Sequence, residues 1–535
     1  MGSNYERGMY KQLCEQIELS ERLQVENKAL RCENRALRNE VSNLRLKLTE
    51  METSMAEKIS SYVTEAVRQA TEPLVAELNK AHTEISRLKS IINKDSSNSS
   101  IPSSKNGFKE IPNSREKSGK AQGGQKGHPG HRLGLPENME ELERQGIIER
   151  RLADHTNGSG EYVSKYTIDI ETKVVITEHR YFKGEIPADM YNEVSYGNGI
   201  KAQTVLLMNE GIIAHKRLSN IISGMTSEVV NLSTGTLSGF QSDFANRLTE
   251  GGELEAIKQD LLNGEVLNTD DTTMRVLERI VYSEKEDNLT EPIGYERGEK
   301  KSLRSTIRTH SNEKSTLYTV NPKKDKKGIE RDGILPLYTG TLCHDHESKF
   351  YNYGRNNAAC GCHLTRDLKG LNDSYNCPWA EKMRRFVLDM NAHKNADLSA
   401  GMESCTSLQL ESFESEYDRL LSEGRNALAE KNEKDWGYDE FNAILNRLSN
   451  FKDSYMLFMR DYKVPFTNNL AERDLRMEKT KEKVSGLFRS WDGIVTHSKV
   501  RSFMSTVKKR GKDLFWSTKQ VMENIPVLTT KTGFT

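Results

Sequence analysis

The sequence predicts a multidomain α+β protein. A parallel coiled coil and a small helical region precede an α/β core, and a helical insertion interrupts that core. Three observations predict this. Leucines recur every seventh residue from Leu23, short apolar runs ending in aspartate lie between residues 266 and 345, and a charged stretch of helical character fills residues 379–460. A chain of 535 residues is also too long for one hydrophobic core.

The coiled coil comes first in the chain, in region 1–94. Leu23, Leu30, Leu37, Leu44 and Met51 take the d positions, and Asn27, Asn34, Val41, Leu48 and Met55 the a positions. Glu26, Glu33 and Glu40 at g face Arg31, Arg38 and Arg45 at e of a parallel partner, and Asn at a sets register at some cost in stability. A parallel homodimer follows. Cys32 falls at f, pointing outward. A second apolar series, Leu74, Leu78, Ala81, Ile85, Leu88 and Ile92, is out of phase, with a break expected near Pro73.

Residues 95–135 are rich in Ser, Asn, Gly and Lys, and Gly123 to His131 cannot hold regular structure. The cations there, Lys126 among them, outnumber Glu110 and Glu116, so the stretch reads either as a strap for a phosphate backbone or as a solvated linker. In region 136–255, alternation from about 161 to 183 predicts a short hairpin. Three helices follow: Ile200 to Asn209, His215 to Ser223, and one capped by Ser233 or Thr234 that runs to Leu248. Such a set either places a helix in a DNA groove or serves as scaffolding.

In the core, 256–378 with 461–535, Val266–Thr272 reads as a strand ending in Asp270 and Asp271. Strands are expected over Met274–Tyr282 and over Leu303–Val320, the latter folded about Ser311-Asn312-Glu313, and then over Gly340–Asp345. Strand, hairpin and a return strand beside the first is the opening of an RNase H-like sheet, with the two aspartates at adjacent strand ends. Thr467–Arg473 reads as a helix start carrying Glu472, and Lys479 lies two turns on. Clustered carboxylates repel one another, and divalent cations relieve the penalty. Oxygen-only ligands suit two Mg²⁺ or Mn²⁺ ions about 4 Å apart that activate a water or 3′-hydroxyl and stabilise the leaving oxygen. On spacing alone, surface carboxylates remain the alternative.

Val464-Pro465-Phe466-Thr467-Asn468-Asn469-Leu470-Ala471-Glu472-Arg473-Asp474-Leu475-Arg476 resembles the C-terminal signature of the insertion sequence 66 family of transposases, as does its continuation through Lys483 to Ser490 and Arg501-Ser502. Asp270-Asp271-Thr272, Gly340–Tyr351 and Cys362–Lys369 resemble that family's Asp-Glu-Thr motif, second-Asp strand and His-x-x-Arg helix. The resemblance implies a DDE transposase in which Asp270, Asp345 and Glu472 bind the metals. It also implies a DNA-binding role for region 136–255, a catalytic role for the core, and a helical insertion at 379–460 between its halves. Substrates would be double-stranded transposon-end DNA and target DNA, with accessory proteins as a further class of partner.

Strand alternation turns Asp271 away from Asp270, and His344 and His346 away from Asp345. His363 and Arg366 are candidates for positioning DNA, and so is a basic stretch with Arg473, Arg476, Lys479, Lys481, Lys483 and Arg489, extending to Arg501, Lys508 and Lys509. Residues 136–200 contain no cysteine, so the zinc module of many members is missing or has lost its metal. Cys360, Cys362 and His363 read as buried groups rather than a zinc set. The rivals are an RNase H-like nuclease that cuts without joining and a non-catalytic zipper regulator. Seven scattered cysteines, no bilayer-length apolar run and no signal segment at Met1-Gly2-Ser3 lead to the expectation of a cytoplasmic protein.

Overall fold

The computed structural model describes residues 192–283, 291–298 and 302–529 without interruption, 134–155, 161, 163–182 and 184–187, and parts of 8–88 that include 31–40 throughout. Residues 31–40 form an uninterrupted helix in which the a-position Asn34 is buried. Leu30, Val41, Leu44 and Met51 of the heptad series lie outside the described residues, as does the basic stretch with Lys126.

After a short helix α1 (Met139–Arg144), the described residues up to 187 lie in neither helix nor strand. Among the described residues of 161–183 none joins a strand, so the expected hairpin is not formed. Val163, Ile170, Ile176 and Phe182 are exposed there. The reason is packing: a two-stranded ribbon with no layer against it buries too little apolar surface to offset its ordering entropy.

The three expected helices do form, as α2 (Asn198–Asn209), α3 (His215–Met225) and α4 (Thr234–Glu250). Ser233 caps α4, its hydroxyl accepting the Thr236 amide at 2.9 Å. Their buried faces, with Val205, Met208, Leu218, Leu237, Phe244 and Leu248, share one apolar core with sheet residues Leu267 and Leu342. They buttress the sheet layer, which favours the scaffolding alternative.

Helix α5 (Glu253–Leu262) leads into β1 (Val266–Val276), the central strand of a five-stranded sheet. Its partners are β4 (Leu303–Ser311), β5 (Thr316–Asn321), β6 (Thr341–His344) and β7 (Asn356–Ala359), in the order β5-β4-β1-β6-β7. β1 pairs antiparallel with β4 and parallel with β6. The expected second strand, Met274–Tyr282, is split. β1 runs on through Val276, because Phe488 bonds to it at both sides, its amide to the Arg275 carbonyl and its carbonyl to the Leu277 amide, each at 2.9 Å. A separate β2 (Glu278–Tyr282) then pairs with β3 (Pro292–Arg297) in a two-stranded sheet.

Helix α6 (Lys326–Asp332) precedes β6, and α7 (Gly361–Tyr375) follows β7. Four helices, α8 (Pro378–Ser399), α9 (Ser407–Ala429), α10 (Tyr438–Asn450) and α11 (Lys452–Arg460), then pack through Trp379, Tyr417, Leu420 and Leu445 onto the face of the sheet that carries Cys343. The chain returns to β1 as α12 (Asn469–Ser485), and α13 (Trp491–Lys509) and α14 (Leu514–Met522) close the fold. No helix among the described residues is long and apolar enough to cross a membrane.

Candidate active site

The parallel register of β1 on β6 pairs Asn268 with Cys343. Two residues further on, the same register aligns Asp270 with Asp345, and strand alternation turns both toward the face that carries Cys343. Asp345 follows directly on β6. Asp270 is not at a strand end: β1 continues past it, paired from Asp270↔Thr309 to Val276↔Leu303, because β4 is long enough to hold it.

Glu472 stands in the first turn of α12 and is brought to β1 by the residue that starts that helix. Asn468 is fully buried, and its side-chain amide donates to the Thr269 carbonyl at 2.8 Å. Its Oδ1 accepts from the Asn268 side chain at 3.0 Å, and its backbone amide donates to Cys360 Sγ at 3.2 Å. The Gly361 amide donates to the Phe466 carbonyl at 2.9 Å. The turn before Glu472 is therefore stitched both to β1 and to the start of α7. Sequence reasoning placed a helix start here but did not single out Asn268, Asn468 or Gly361; their signal was only the Asn-Asn pair ahead of the helix.

The electrostatics agree with a converged cluster. Burial, then Asp345, Asp271 and Glu472, push the Asp270 carboxyl well above the usual carboxylate range. Burial also raises Asp345, while His363 pulls it down. Asp345 Oδ1 and Glu472 Oε1 are buried without a hydrogen-bond partner. His363, at the start of α7, has Nδ1 3.7 Å from Glu472 Oε1, and that nitrogen is also without a hydrogen bond. Cys360, His363 and Glu472 bring their ligand atoms within 4.8 Å of one another. Burial pushes the Cys360 thiol up to about 12, so it is a neutral hydrogen-bond acceptor for Asn468.

The neighbours read as facing away do so. Asp271 turns to the other face, where Arg308 at 3.2 Å, Lys324 at 2.8 Å and Lys349 at 2.7 Å surround it. Burial alone would raise its pKa, but these three cations hold it below the ordinary value. His344 packs on Phe350 and Tyr351, with Nε2 3.0 Å from Asn357 Oδ1. His346 packs on Tyr351 and Phe451, and burial with Arg447 lowers it to about 4.

The basic residues divide into two sets. Arg473, Arg476, Lys483 and Arg489 are exposed. Lys479 donates to the Thr273 carbonyl at 2.6 Å, and Lys481 is half-buried, with burial lowering its pKa. Arg366 lies one turn beyond His363, beside Cys362. Arg501 and Lys509 are spent inside the molecule, Arg501 on Glu210 and Lys509 on Asp474, while Lys508 stays exposed and pairs with Glu210. The charge of all three had suggested a DNA groove, but α13 carries Arg501 and Lys509 into the fold.

The family model described as Transposase IS66 family matches residues 193–496, a span that holds Asp270, Asp345 and Glu472. Over 80 residues the chain is 38% identical to "Uncharacterized protein y4jO" of Sinorhizobium fredii (strain NBRC 101917 / NGR234). That match covers 15% of this chain and 25% of the relative, so it spans only a quarter of that protein's length. No solved structure matches.

Proposed function

The chain belongs to the IS66 family of transposases, and from that premise we propose that Asp270, Asp345 and Glu472 are the metal-binding triad of a DDE reaction that cuts insertion-sequence ends and joins them to target DNA. The observation that carries this reading is the cluster itself. Asp270 is half-buried and feels the charges of Asp345 and Glu472, and an oxygen of each of the latter two is buried with no hydrogen bond. Burying carboxylates side by side is costly unless a cation joins them. The donors are oxygens, which fits Mg²⁺ or Mn²⁺. The strand order β5-β4-β1-β6-β7, with its change from antiparallel to parallel pairing at β1, supports an RNase H-like core.

Two bound divalent ions would supply a nucleophile at neutral pH and stabilise the leaving oxygen. The chain's own residues prepare that place. Asp270 on β1 and Asp345 just past the end of adjacent β6 are ligands, and Glu472 closes the set from α12. Asn468 keeps Glu472 in reach of β1. His363 faces Glu472 and Asp345, where it orients the carboxylates or the scissile phosphate. Exposed Arg473, Arg476, Lys483 and Arg489 neutralise phosphates along the duplex and give affinity without sequence preference. The heptads of residues 23–55 would pair two copies in parallel, so that two element ends are held together.

The test is cleavage of labelled element-end DNA by purified protein with Mg²⁺ or Mn²⁺. Wild type should nick in a metal-dependent manner, and Asp345→Asn and Glu472→Gln should each lose at least about 10²-fold, the scale of losing charge stabilisation at a reacting centre. Equal cutting by all three proteins would sink the triad. Pre-cut ends offered with target DNA separate joining from cutting: a protein that nicks but never joins is a nuclease.

A further inference from the structure

A second group of ligand-type side chains lies outside the carboxylate cluster, at the corner where α8 turns into α9. His393 and Asp397 are four residues apart on α8 and so share a face. The chain reverses at Gly401, in the left-handed region at φ +81°, and brings Cys405 back just before Thr406, which caps α9. The ligand atoms of His393, Asp397 and Cys405 all lie within 4.8 Å of one another.

We propose that His393, Asp397 and Cys405 form a binding site for a borderline transition-metal ion of the Zn²⁺ class. The donor set is one imidazole nitrogen, one carboxylate oxygen and one thiol sulfur, which suits Zn²⁺ and disfavours Mg²⁺. A tetrahedral ion with bonds of about 2.0–2.3 Å holds its ligand atoms roughly 3.5 Å apart. His393 Nε2 and Asp397 Oδ2 already stand at 3.4 Å. His393 Nε2 is buried and makes no hydrogen bond, so the nitrogen facing the carboxylate is uncommitted. Three protein ligands leave a fourth position for water.

The surroundings have the character of an outer shell. The Tyr462 hydroxyl donates to Asp397 Oδ2 at 2.5 Å and also lies against the Cys405 thiol. It would orient the carboxylate as second partners of metal ligands do. Phe413 packs edge-on against the His393 ring, with centroids 5.2 Å apart, and shields that side. Tyr462 begins the segment that ends at Asn468, and Lys394 of α8 donates to the Val464 carbonyl of the same segment. An ion at this corner would fix the α8–α9 turn against the strap that positions α12, whatever DNA chemistry the protein performs. A thiol binds a metal ion as the thiolate, so its proton leaves on binding. Binding therefore converts Cys–SH and Zn²⁺ into a Cys–S–Zn bond and one released proton.

The experiment uses the full chain, stripped with EDTA and titrated with Co²⁺ and then Zn²⁺. Co²⁺ bound to Cys405 gives a thiolate charge-transfer band in the near ultraviolet, and Zn²⁺ displaces it. The band should be present in wild type and absent in Cys405→Ser. Affinity should be at least about tenfold weaker in Tyr462→Phe, the scale of losing a second-shell partner, and weaker still in His393→Asn. The band should persist in Cys360→Ser and Glu472→Gln, which separates this site from the carboxylate cluster. Calorimetry in buffers of different ionisation enthalpy should report one proton released per Zn²⁺. Far-UV circular dichroism checks that each variant is folded. No thiolate band in wild type overturns the proposal, as does a band that survives Cys405→Ser or vanishes with Cys360→Ser.

Discussion

At the residue scale, the clearest energetic commitment is a buried carboxylate outside the triad. Glu478 of α12 is fully buried, with His497 Nε2 at 3.0 Å and Arg501 Nε at 3.9 Å. His497 Nδ1 lies 3.1 Å from Asn209 Oδ1, and Arg501 reaches Glu210, so one polar network ties α2, α12 and α13 together. Burial alone would raise the Glu478 pKa, but His497 and Arg501 hold it below its ordinary value. A depressed carboxylate contributes stability that is full above its unfolded pKa and is lost as pH falls through the folded one. Glu478→Gln should cost about 3–5 kcal/mol at neutral pH, because the buried Arg501 guanidinium loses a partner. It should also flatten the fall in stability below pH 4.5, as urea unfolding at several pH values would read. An unchanged acid limb would mean that other carboxylates set it.

At the scale of elements, the start of α7 and the turn before α12 are built as one unit. A Cβ on Gly361 would stand 2.2 Å from the Phe466 ring, a contact that cannot exist, so the absence of a side chain lets α7 begin against that ring. Gly361→Ala should push Phe466 and with it Asn468 and Glu472. A displacement of about 1 Å can cost on the order of 10²-fold in rate, so nicking should fall by that order while the protein still folds. Phe466→Leu, which shortens the obstacle, should restore part of it in the double variant. Equal loss in single and double variants would show that the two positions act separately.

How much of this was readable beforehand follows from the range of the forces involved. The helices α2 to α4 and the Ser233 cap depend on local spacing, and the sequence reading places them within a few residues. Asp270 beside Asp345 needs only strand alternation and one parallel pairing. The hairpin at 161–183 failed because alternation reports a face, not whether anything packs on it. The end of β1 depended on Phe488, more than two hundred residues away, and no local pattern carries that. The His393, Asp397 and Cys405 corner was equally hidden, because its third member arrives by a chain reversal.

At the scale of the whole molecule, net charge is zero, yet the surface beside α12 keeps an exposed set of Arg473, Arg476, Lys483 and Arg489. Each phosphate contact adds close to one unit to the slope of log affinity against log salt. Arg476→Ala with Lys483→Ala should therefore lower that slope by about 2 and weaken all duplexes alike. Lys509→Ala should leave the slope unchanged, because Lys509 is bound to Asp474 at 2.8 Å and to the Asn312 carbonyl at 2.9 Å. A fluorescence-anisotropy salt series on element-end and unrelated duplexes reads both. If Lys509→Ala moved the slope as much as the exposed pair, the division into surface and internal cations would be wrong.

The same scale bears on assembly. Asn34 sits at an a position within the continuous helix of residues 31–40, where Glu33 and Arg38 hold g and e positions. In a parallel two-stranded seam, Asn faces Asn and each g residue faces the next e residue of the partner, so orientation and copy number are set together. Replacing Asn27 and Asn34 by Leu should keep association and even strengthen it, but loosen its register and number, because the polar pair disfavours other arrangements. Replacing Glu26, Glu33 and Glu40 by Lys should oppose the e-position arginines and weaken self-association, while a mixture with a chain carrying Glu at 31, 38 and 45 should pair. Sedimentation equilibrium separates these outcomes: a wild-type dimer, a mixture of dimer and larger species for the Leu variant, and a monomer for the Lys variant alone. A wild type that sediments as a monomer at micromolar concentration would remove the zipper from the account of how two DNA ends are held. The carboxylate cluster, built wholly within one chain, would stand without it.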